Sequence, residues 1–333
     1  MPDGDRSQAT RAAWLSYVGG LTQAEIAERM GVSRVKVNRL IGEAVAAGMV
    51  RVFVDGSDAN CVALEKRIAD HWGLDFCTVA PTVDDAALPL RTLAAAGGYF
   101  LHRVLERHEA AVIGVGHGRT LAEVVKYLPQ MDCPDVRFVS LLGSLTRHAA
   151  ANPFDVIHRL TEITGAESHF MPAPFFLDSV ADKQMLLAQK SLKDVFALAA
   201  SATLYIVGIG DVGPKAHMLL TGMLKPAEYE ELQRAGAVGE LLGRFVDAQG
   251  TPVEAEINER AIAFPLERLK GRRVVAIAGG AGKVNAIAAV LNSRVITGLV
   301  TDEVTAQKVV NLASGDPAAG ARTVRRKHPV RET

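Results

Sequence analysis

Residues 21–50 read LTQAEIAERMGVSRVKVNRLIGEAVAAGMV, and this stretch decides how the chain is organised. Apolar side chains fall at Ile26, Met30, Val32, Val37 and Leu40, while Ala27 and Gly31 sit where two crossing helices approach closely. Thr22 with Glu25 three residues on has the form of a capping box, so a helix opens there. Gly31 tolerates positive φ and stops it. Ser33 caps a second helix through its hydroxyl, and Gly48 ends it. On that helix Val37, Leu40 and Ile41 are the buried positions. Ser33, Arg34, Lys36, Asn38 and Arg39 then point outward, and these types contact phosphates and base edges when a helix enters the major groove. A helical pair with a merely solvated charged face is the bland alternative. The apolar set, the small residues and the cap share one register, which favours a DNA-binding helix-turn-helix. Residues 49–54 (MVRVFV) alternate apolar and polar, which predicts the strand of a wing with Asp55-Gly56 as its turn.

The chain has 333 residues, too many for one DNA-binding module and enough for a second core. It is 49% hydrophobic with zero net charge, so it is not a nonspecific polyanion binder as a whole. The useful positive charge is local: Arg34, Lys36 and Arg39 against Glu43. Cys61, Cys77 and Cys133 show no CxxC spacing, which argues against a zinc site or a disulfide framework and for buried thiols in a reducing compartment. The nine histidines form no HxxxH or HExxH, so no metal site is expected. The start MPDGDRSQ lacks a signal-peptide pattern and no run approaches membrane-spanning length, so a soluble cytoplasmic protein is expected.

Four regions follow: a helix-turn-helix domain over 1–56, a connecting helix over 57–73, an effector domain over 74–313, and a basic, disordered tail over 314–333. Val62, Leu64, Ile68, Ala69 and Trp72 give the connecting helix its apolar face. From Leu74 onward, apolar β-branched runs (76–79, 110–115, 137–142, 204–209, 273–277, 294–297) alternate with helical patterns (90–107, 120–127, 183–190, 214–220, 227–234, 285–291, 302–312). Strands apolar throughout belong to a sheet covered on both faces, so the domain is a mostly parallel, doubly wound, Rossmann-like α/β fold.

Ligands on such sheets bind at the carboxyl ends of strands. Three strand-end loops carry suitable chemistry. Residues 114–120 (GVGHGRT) let backbone N–H groups approach an anion, with Thr120 and a helix N-terminus adding donors. The loop departs from GxGxxG and from the P-loop, so no nucleotide cofactor is assigned. Residues 142–147 (LGSLTR) offer the guanidinium fork of Arg147, or simply a surface arginine. Residues 278–283 (AGGAGK) place Lys283 at a helix start. Together the loops point to a small anionic ligand such as a phosphorylated sugar or polyol. Asp247 and Asp211 could accept hydrogen bonds from ligand hydroxyls, or could bond their own turns. Asp302-Glu303 opens the last helix, where the dipole explains acidic residues without further function.

In the order and combination of LTQAEIAERMGVSRVKVNRLIGEAVAAGMV, VIGVGHGRTL, VSLLGS, YIVGIGD, GAVGELLGRFVDAQG, VVAIAGGAGKVNAIAAVL and LVTDEVTAQKVV, the chain resembles the SorC family of sugar-responsive bacterial transcriptional regulators from residue 12 to about 312. The resemblance implies an effector domain with the fold of sugar-phosphate isomerases and glucosamine-phosphate deaminases. It also implies dimers or tetramers, operator DNA as partner, and control of an operon for catabolism of the sensed compound. Carried over, the family's phosphate loop matches Gly116, Gly118, Arg119 and Thr120, with Arg147, Asp247 and Lys283 as further contacts. The middle of the loop TRHAAANPFD, with His148 and Asn152, departs from the family pattern. MPAPFFLDS could close over the ligand with Phe175 or Phe176 as wall, or form a core loop. Within the family the similarity runs to members serving sugar alcohols such as erythritol. A sugar-phosphate isomerase or deaminase with an attached DNA-binding module is the rival. Asp211, Asp247 and His117 could supply its base, yet nothing orients them as a pair. A DNA-binding protein with no ligand is the third reading.

Overall fold

The computed structural model describes residues 3–50, 58–83, 89–144 and 156–314. The chain divides into two compact units, Met1–Asp55 and Gly56–Thr333. The expected wing, beyond Val50, and the expected basic tail fall on residues outside the described ones.

The first unit holds α1 (Asp3–Ala13), a π-helical stretch over Trp14–Val18, α2 (Gln23–Met30) and α3 (Arg34–Ala46). The capping box at α2 is present: Thr22 Oγ1 accepts from Glu25 N–H at 3.4 Å, and Glu25 Oε2 accepts from Thr22 N–H at 2.8 Å. Gly31 takes φ 65° at the stop, the conformation only glycine adopts without strain. Ser33 caps α3 by accepting from Lys36 N–H at 3.2 Å. Ile26, Val37, Leu40 and Ala44 pack with Ala9, Ala12 and Ala13 of α1, and Ile41 lies half-buried at the margin. The contribution of α1 was not foreseen, because small alanines and surrounding polar residues give it a faint apolar stripe.

The second unit runs α4 (Ala59–Trp72), β1 (Phe76–Ala80), α5 (Leu90–Glu106), β2 (Val112–Val115), α6 (Arg119–Lys126), β3 (Arg137–Ser140), α7 (Val156–Thr164) and β4 (Glu167–His169). It continues α8 (Val180–Ala188), α9 (Lys190–Ser201), β5 (Leu204–Val207), β6 (Gly210–Asp211), α10 (His217–Leu220), α11 (Pro226–Arg234), β7 (Gly239–Leu241) and β8 (Arg244–Val246). It ends with α12 (Glu256–Arg260), β9 (Val274–Ile277), α13 (Val284–Asn292), β10 (Gly298–Asp302) and α14 (Glu303–Ala313). Seven parallel strands form the main sheet in the order β1-β10-β9-β5-β2-β3-β4, and β6-β7-β8 make a small antiparallel sheet.

Alternate residues of the central strands enter different cores. Leu204, Ile206, Val275 and Ile277 pack with Leu101, Leu121, Val124 and Ile157 of α5, α6 and α7. Tyr205, Val207, Val274 and Ala276 pack with Leu64, Ala199, Ile287 and Val309 of α4, α9, α13 and α14. Both faces are covered, as the unbroken apolar strands require. The helix over 59–72 therefore belongs to this unit's core. The strand expected at 294–297 is displaced to Gly298–Asp302, since Arg294 turns at φ 56°. Among the described residues no helix is long and apolar enough to cross a membrane.

Candidate functional site

On α3, Ser33, Arg34, Asn38 and Arg39 are exposed and Lys36 is half-buried, so the polar face anticipated from spacing exists. Val35, 81% exposed, stands beside them and offers an apolar contact of the kind made with a thymine methyl. Asn38 Oδ1 accepts from Gln23 Nε2 at 3.2 Å, which adds the first residue of α2 to this face. Arg39 pairs with Glu43 one turn on at 2.7 Å, an exposed contact that contributes little and exchanges readily for a phosphate.

In the larger unit the strand order determines which loops meet. From β2 the chain steps outward to β3 and β4, then returns to β5 on the other side of β2 and continues to β9 and β10. The direction reverses between β2 and β5, and a crevice opens at the carboxyl ends of strands at such a switch point. The loop after β2 carries Gly116, His117 and Gly118 (φ 124°), and Arg119 and Thr120 open α6. The loop after β5 leads into Asp211, and the loop after β9 ends at Lys283, which donates to the Ile209 carbonyl. His117 Nε2 lies 3.0 Å from Ser140 Oγ, whose own hydroxyl donates to Leu142 O at 2.7 Å, so the imidazole is the donor.

The charges in this crevice act on one another. Burial holds the Lys283 ammonium below the ordinary lysine range; Asp211 and Glu240 oppose that, and the like charge of Arg119 adds to it. His217 is lowered first by burial, then by Arg119 and Lys283, against Asp211. Glu240, on β7 opposite Gly210, is 8% exposed. Burial pushes its carboxyl up to about 7, although the Gly243 N–H and Lys283 favour its charged form. Two cations, two carboxyls and an imidazole thus share one electrostatic neighbourhood beside glycine-lined turns. Such a set can hold an anion on its cationic side and hydrogen-bond hydroxyls on its acidic side.

Gly116, Gly118, Arg119, Thr120 and Lys283 are therefore brought to one end of the sheet, with Thr120 buried at 6% exposure. Asp247 is not. Its Oδ1 accepts from Gln249 and Thr251 N–H, both at 2.9 Å, which closes its own turn. That turn packs at the far end of α13, where Asn292 Nδ2 donates to Ala248 O at 2.9 Å, whereas Lys283 precedes the helix's first residue. Arg147, His148 and Asn152 lie outside the described residues. Phe175 and Phe176 are core residues, 1% and 6% exposed, with Phe176 stacked on Phe245, as in the core-loop alternative. Asp302 caps α14, accepting from Thr305 N–H at 3.0 Å. Sequence reasoning passed over Glu240 and His217. A lone acid inside the run GELLG was the available signal for Glu240, because an apolar strand buries a charge only where something answers it.

Residues 57–311 match the family described as "Putative sugar-binding domain", and residues 5–59 match the MarR family. Over 315 residues the chain is 47% identical to the erythritol catabolism regulatory protein EryD of Brucella abortus, covering 95% of this chain and all of the relative. It is 33% identical to the transcriptional regulator LsrR of an Enterobacter species, covering 91% of this chain and 92% of the relative. In fold it resembles the full-length sorbitol operon regulator SorC of Klebsiella pneumoniae, with TM-score 0.68 at 24% identity over 92% of this chain and 100% of that one. Relatives matched over nearly the whole chain are named as regulators, which supports regulation over the isomerase or deaminase alternative. With most of its length in a sugar-binding domain and its N-terminal segment in a helix-turn-helix, this chain belongs to the SorC family of sugar-binding transcriptional regulators.

Proposed function

We propose that the protein controls a catabolic operon for a four-carbon sugar alcohol, and that its effector is the phosphorylated polyol. The near-half identity to a regulator of erythritol catabolism supports the substrate class. The observation that carries the phosphate is the convergence of Arg119 and Lys283 with the start of α6 beside glycine-lined turns. A phosphate seated there accepts from backbone N–H groups, the guanidinium and the ammonium. Asp211 accepts from polyol hydroxyls, and Glu240, neutral below about pH 7, donates to one. The glycines at 116 and 118 line the approach, and Thr120 with the start of α6 supplies further donors.

The effector acts by binding two arrangements of a homo-oligomer unequally, only one of which spaces a pair of α3 helices to fit half-sites a helical turn or a multiple apart. Ser33, Arg34, Lys36, Asn38 and Arg39 are the operator-facing residues. A coupling of about 1–3 kcal/mol changes operator affinity about 5- to 150-fold. Thermal-shift titration with erythritol, erythritol phosphate and inorganic phosphate tests this reading. The phosphorylated polyol should raise the melting temperature most, and the same compound should shift operator binding. A response to the free polyol equal to that of its phosphate would reject the phosphate assignment.

A further inference from the structure

Away from the crevice, three side chains from two distant parts of the sequence meet at the start of two helices. One carboxylate oxygen each of Asp58 and Glu303 and the Sγ of Cys61 lie within 4.8 Å of one another. Helix capping accounts for part of this. Asp58 Oδ1 accepts from Asn60 and Cys61 N–H at 2.8 and 3.3 Å, and Glu303 Oε2 accepts from Thr82 N–H at 3.2 Å. It does not account for the thiol. Cys61 is 2% exposed and its sulfur has no hydrogen-bond partner among the described residues, yet it faces two carboxylates. Nor does capping account for Thr82, whose hydroxyl oxygen is buried and unpartnered on the residue that bonds Glu303. Among the described residues no lysine, arginine or histidine pairs with either carboxylate. Glu65 stands close enough to join both acids in raising the thiol, after burial itself.

We propose that Asp58, Cys61 and Glu303 bind a zinc-class divalent cation, one ligand from each, with water in the fourth position on the side where Asp58 is exposed. One thiolate and two carboxylates suit borderline-soft zinc, and not magnesium or calcium, which take oxygen ligands. A tetrahedral zinc with Zn–S of about 2.3 Å and Zn–O of about 2.1 Å sets its ligand atoms about 3.4–3.6 Å apart, and atoms that already lie within 4.8 Å of one another reach that spacing by side-chain rotation. On binding, the Cys61 S–H loses its proton to solvent and a sulfur–metal bond forms, with no change of oxidation state. The ion answers two carboxylates with a cation and ties the first turn of α4 to the first turn of α14. No spacing rule could find it, since Glu303 lies 242 residues beyond Cys61 in the chain (303 minus 61).

The test uses the full-length protein, stripped with chelator and titrated with Co²⁺, then with Zn²⁺ in competition. One equivalent of Co²⁺ should produce a thiolate-to-cobalt charge-transfer band that Zn²⁺ abolishes. The band should vanish in Cys61→Ser and persist in Cys77→Ser and Cys133→Ser. Asp58→Asn keeps the helix cap and Glu303→Gln keeps the acceptor for Thr82, so both variants fold; each should bind Co²⁺ at least about 10-fold more weakly. No band in the wild-type protein would overturn the proposal. So would a band that survives Cys61→Ser, or unchanged affinity in both Asp58→Asn and Glu303→Gln.

Discussion

Glu240 shows how one buried carboxyl ties stability to pH. Its folded pKa, about 7, lies above the ordinary glutamate value of 4.5, so the folded state holds the proton more tightly than the unfolded state does. Stability therefore falls as pH rises from about 4.5 to about 7, and above that the full cost of the buried charge is present. The cost is at most about 3 kcal/mol and is reduced in practice by relaxation around the site. Glu240→Gln keeps an acceptor for the Gly243 N–H and removes the titration. Its denaturant midpoint should lie above that of the wild-type protein at pH 8, and the two should converge near pH 5. A wild-type curve that rises across this window would contradict the assignment. Asp247 teaches the opposite lesson at the same scale. It sits in the motif FVDAQG, and the turn it closes accounts for it fully.

At the scale of elements, α3 presents its basic face because Val37, Leu40 and Ala44 are held by α1 and α2. Arg34→Ala and Arg39→Ala should leave the unfolding transition unchanged, since both side chains are exposed. Each should weaken operator binding by about 1–3 kcal/mol if it reads a base, or lower the salt slope by about 1 if it contacts a phosphate. Filter-binding or fluorescence-anisotropy titrations across salt concentrations distinguish these outcomes. In the larger unit, Arg260 of α12 donates to Glu228 of α11 at 2.6 Å and to the Leu177 carbonyl at 2.8 Å, with both side chains buried. Removing Glu228 leaves the buried guanidinium only the Leu177 carbonyl and the exposed Glu256 carboxylate at 3.4 Å, which does not replace a buried partner. Glu228→Ala should cost about 3–5 kcal/mol in chemical denaturation, and more than the double variant Glu228→Gln with Arg260→Met. The elements themselves were legible wherever local pattern is strong. β2, β3, β5 and β9 lie inside the apolar runs that mark them, and the caps of α2 and α3 stand where Thr22 and Ser33 are. β10 was misplaced because Val295 and Ile296 are β-branched and buried, yet lie in the connection between the turn at Ser293–Arg294 and the strand. The strand that follows starts at Gly298, where any Cβ would strike the Phe76 ring of β1. A glycine selected by a neighbouring strand looks, in sequence, like the end of a strand.

For the whole molecule the decisive quantity is the coupling between effector and operator. Lys283 lies in the larger unit and α3 in the smaller one. Lys283→Ala should therefore leave operator affinity without effector unchanged and reduce the effector-induced shift by at least about 10-fold, the scale of one lost charge-assisted contact of about 1.5–3 kcal/mol. An undiminished shift, read by anisotropy with and without the phosphorylated polyol, removes Lys283 from the site.

The amino-acid order by itself determined what depends on near neighbours. It supplied the capped helical pair with its basic face, the alternation of apolar strands with helices, and the glycine-rich turns that end strands. Each is written in spacings of a few residues, where backbone sterics and helix or strand periodicity act directly. Only the tertiary structure decided the strand order that brings the loops after β2, β5 and β9 together. It also separated Asp247 from that crevice, brought Glu240 and His217 into it, and set Asp58, Cys61 and Glu303 side by side. These outcomes depend on which long loops close and which faces pack, and many different short-range patterns are compatible with each.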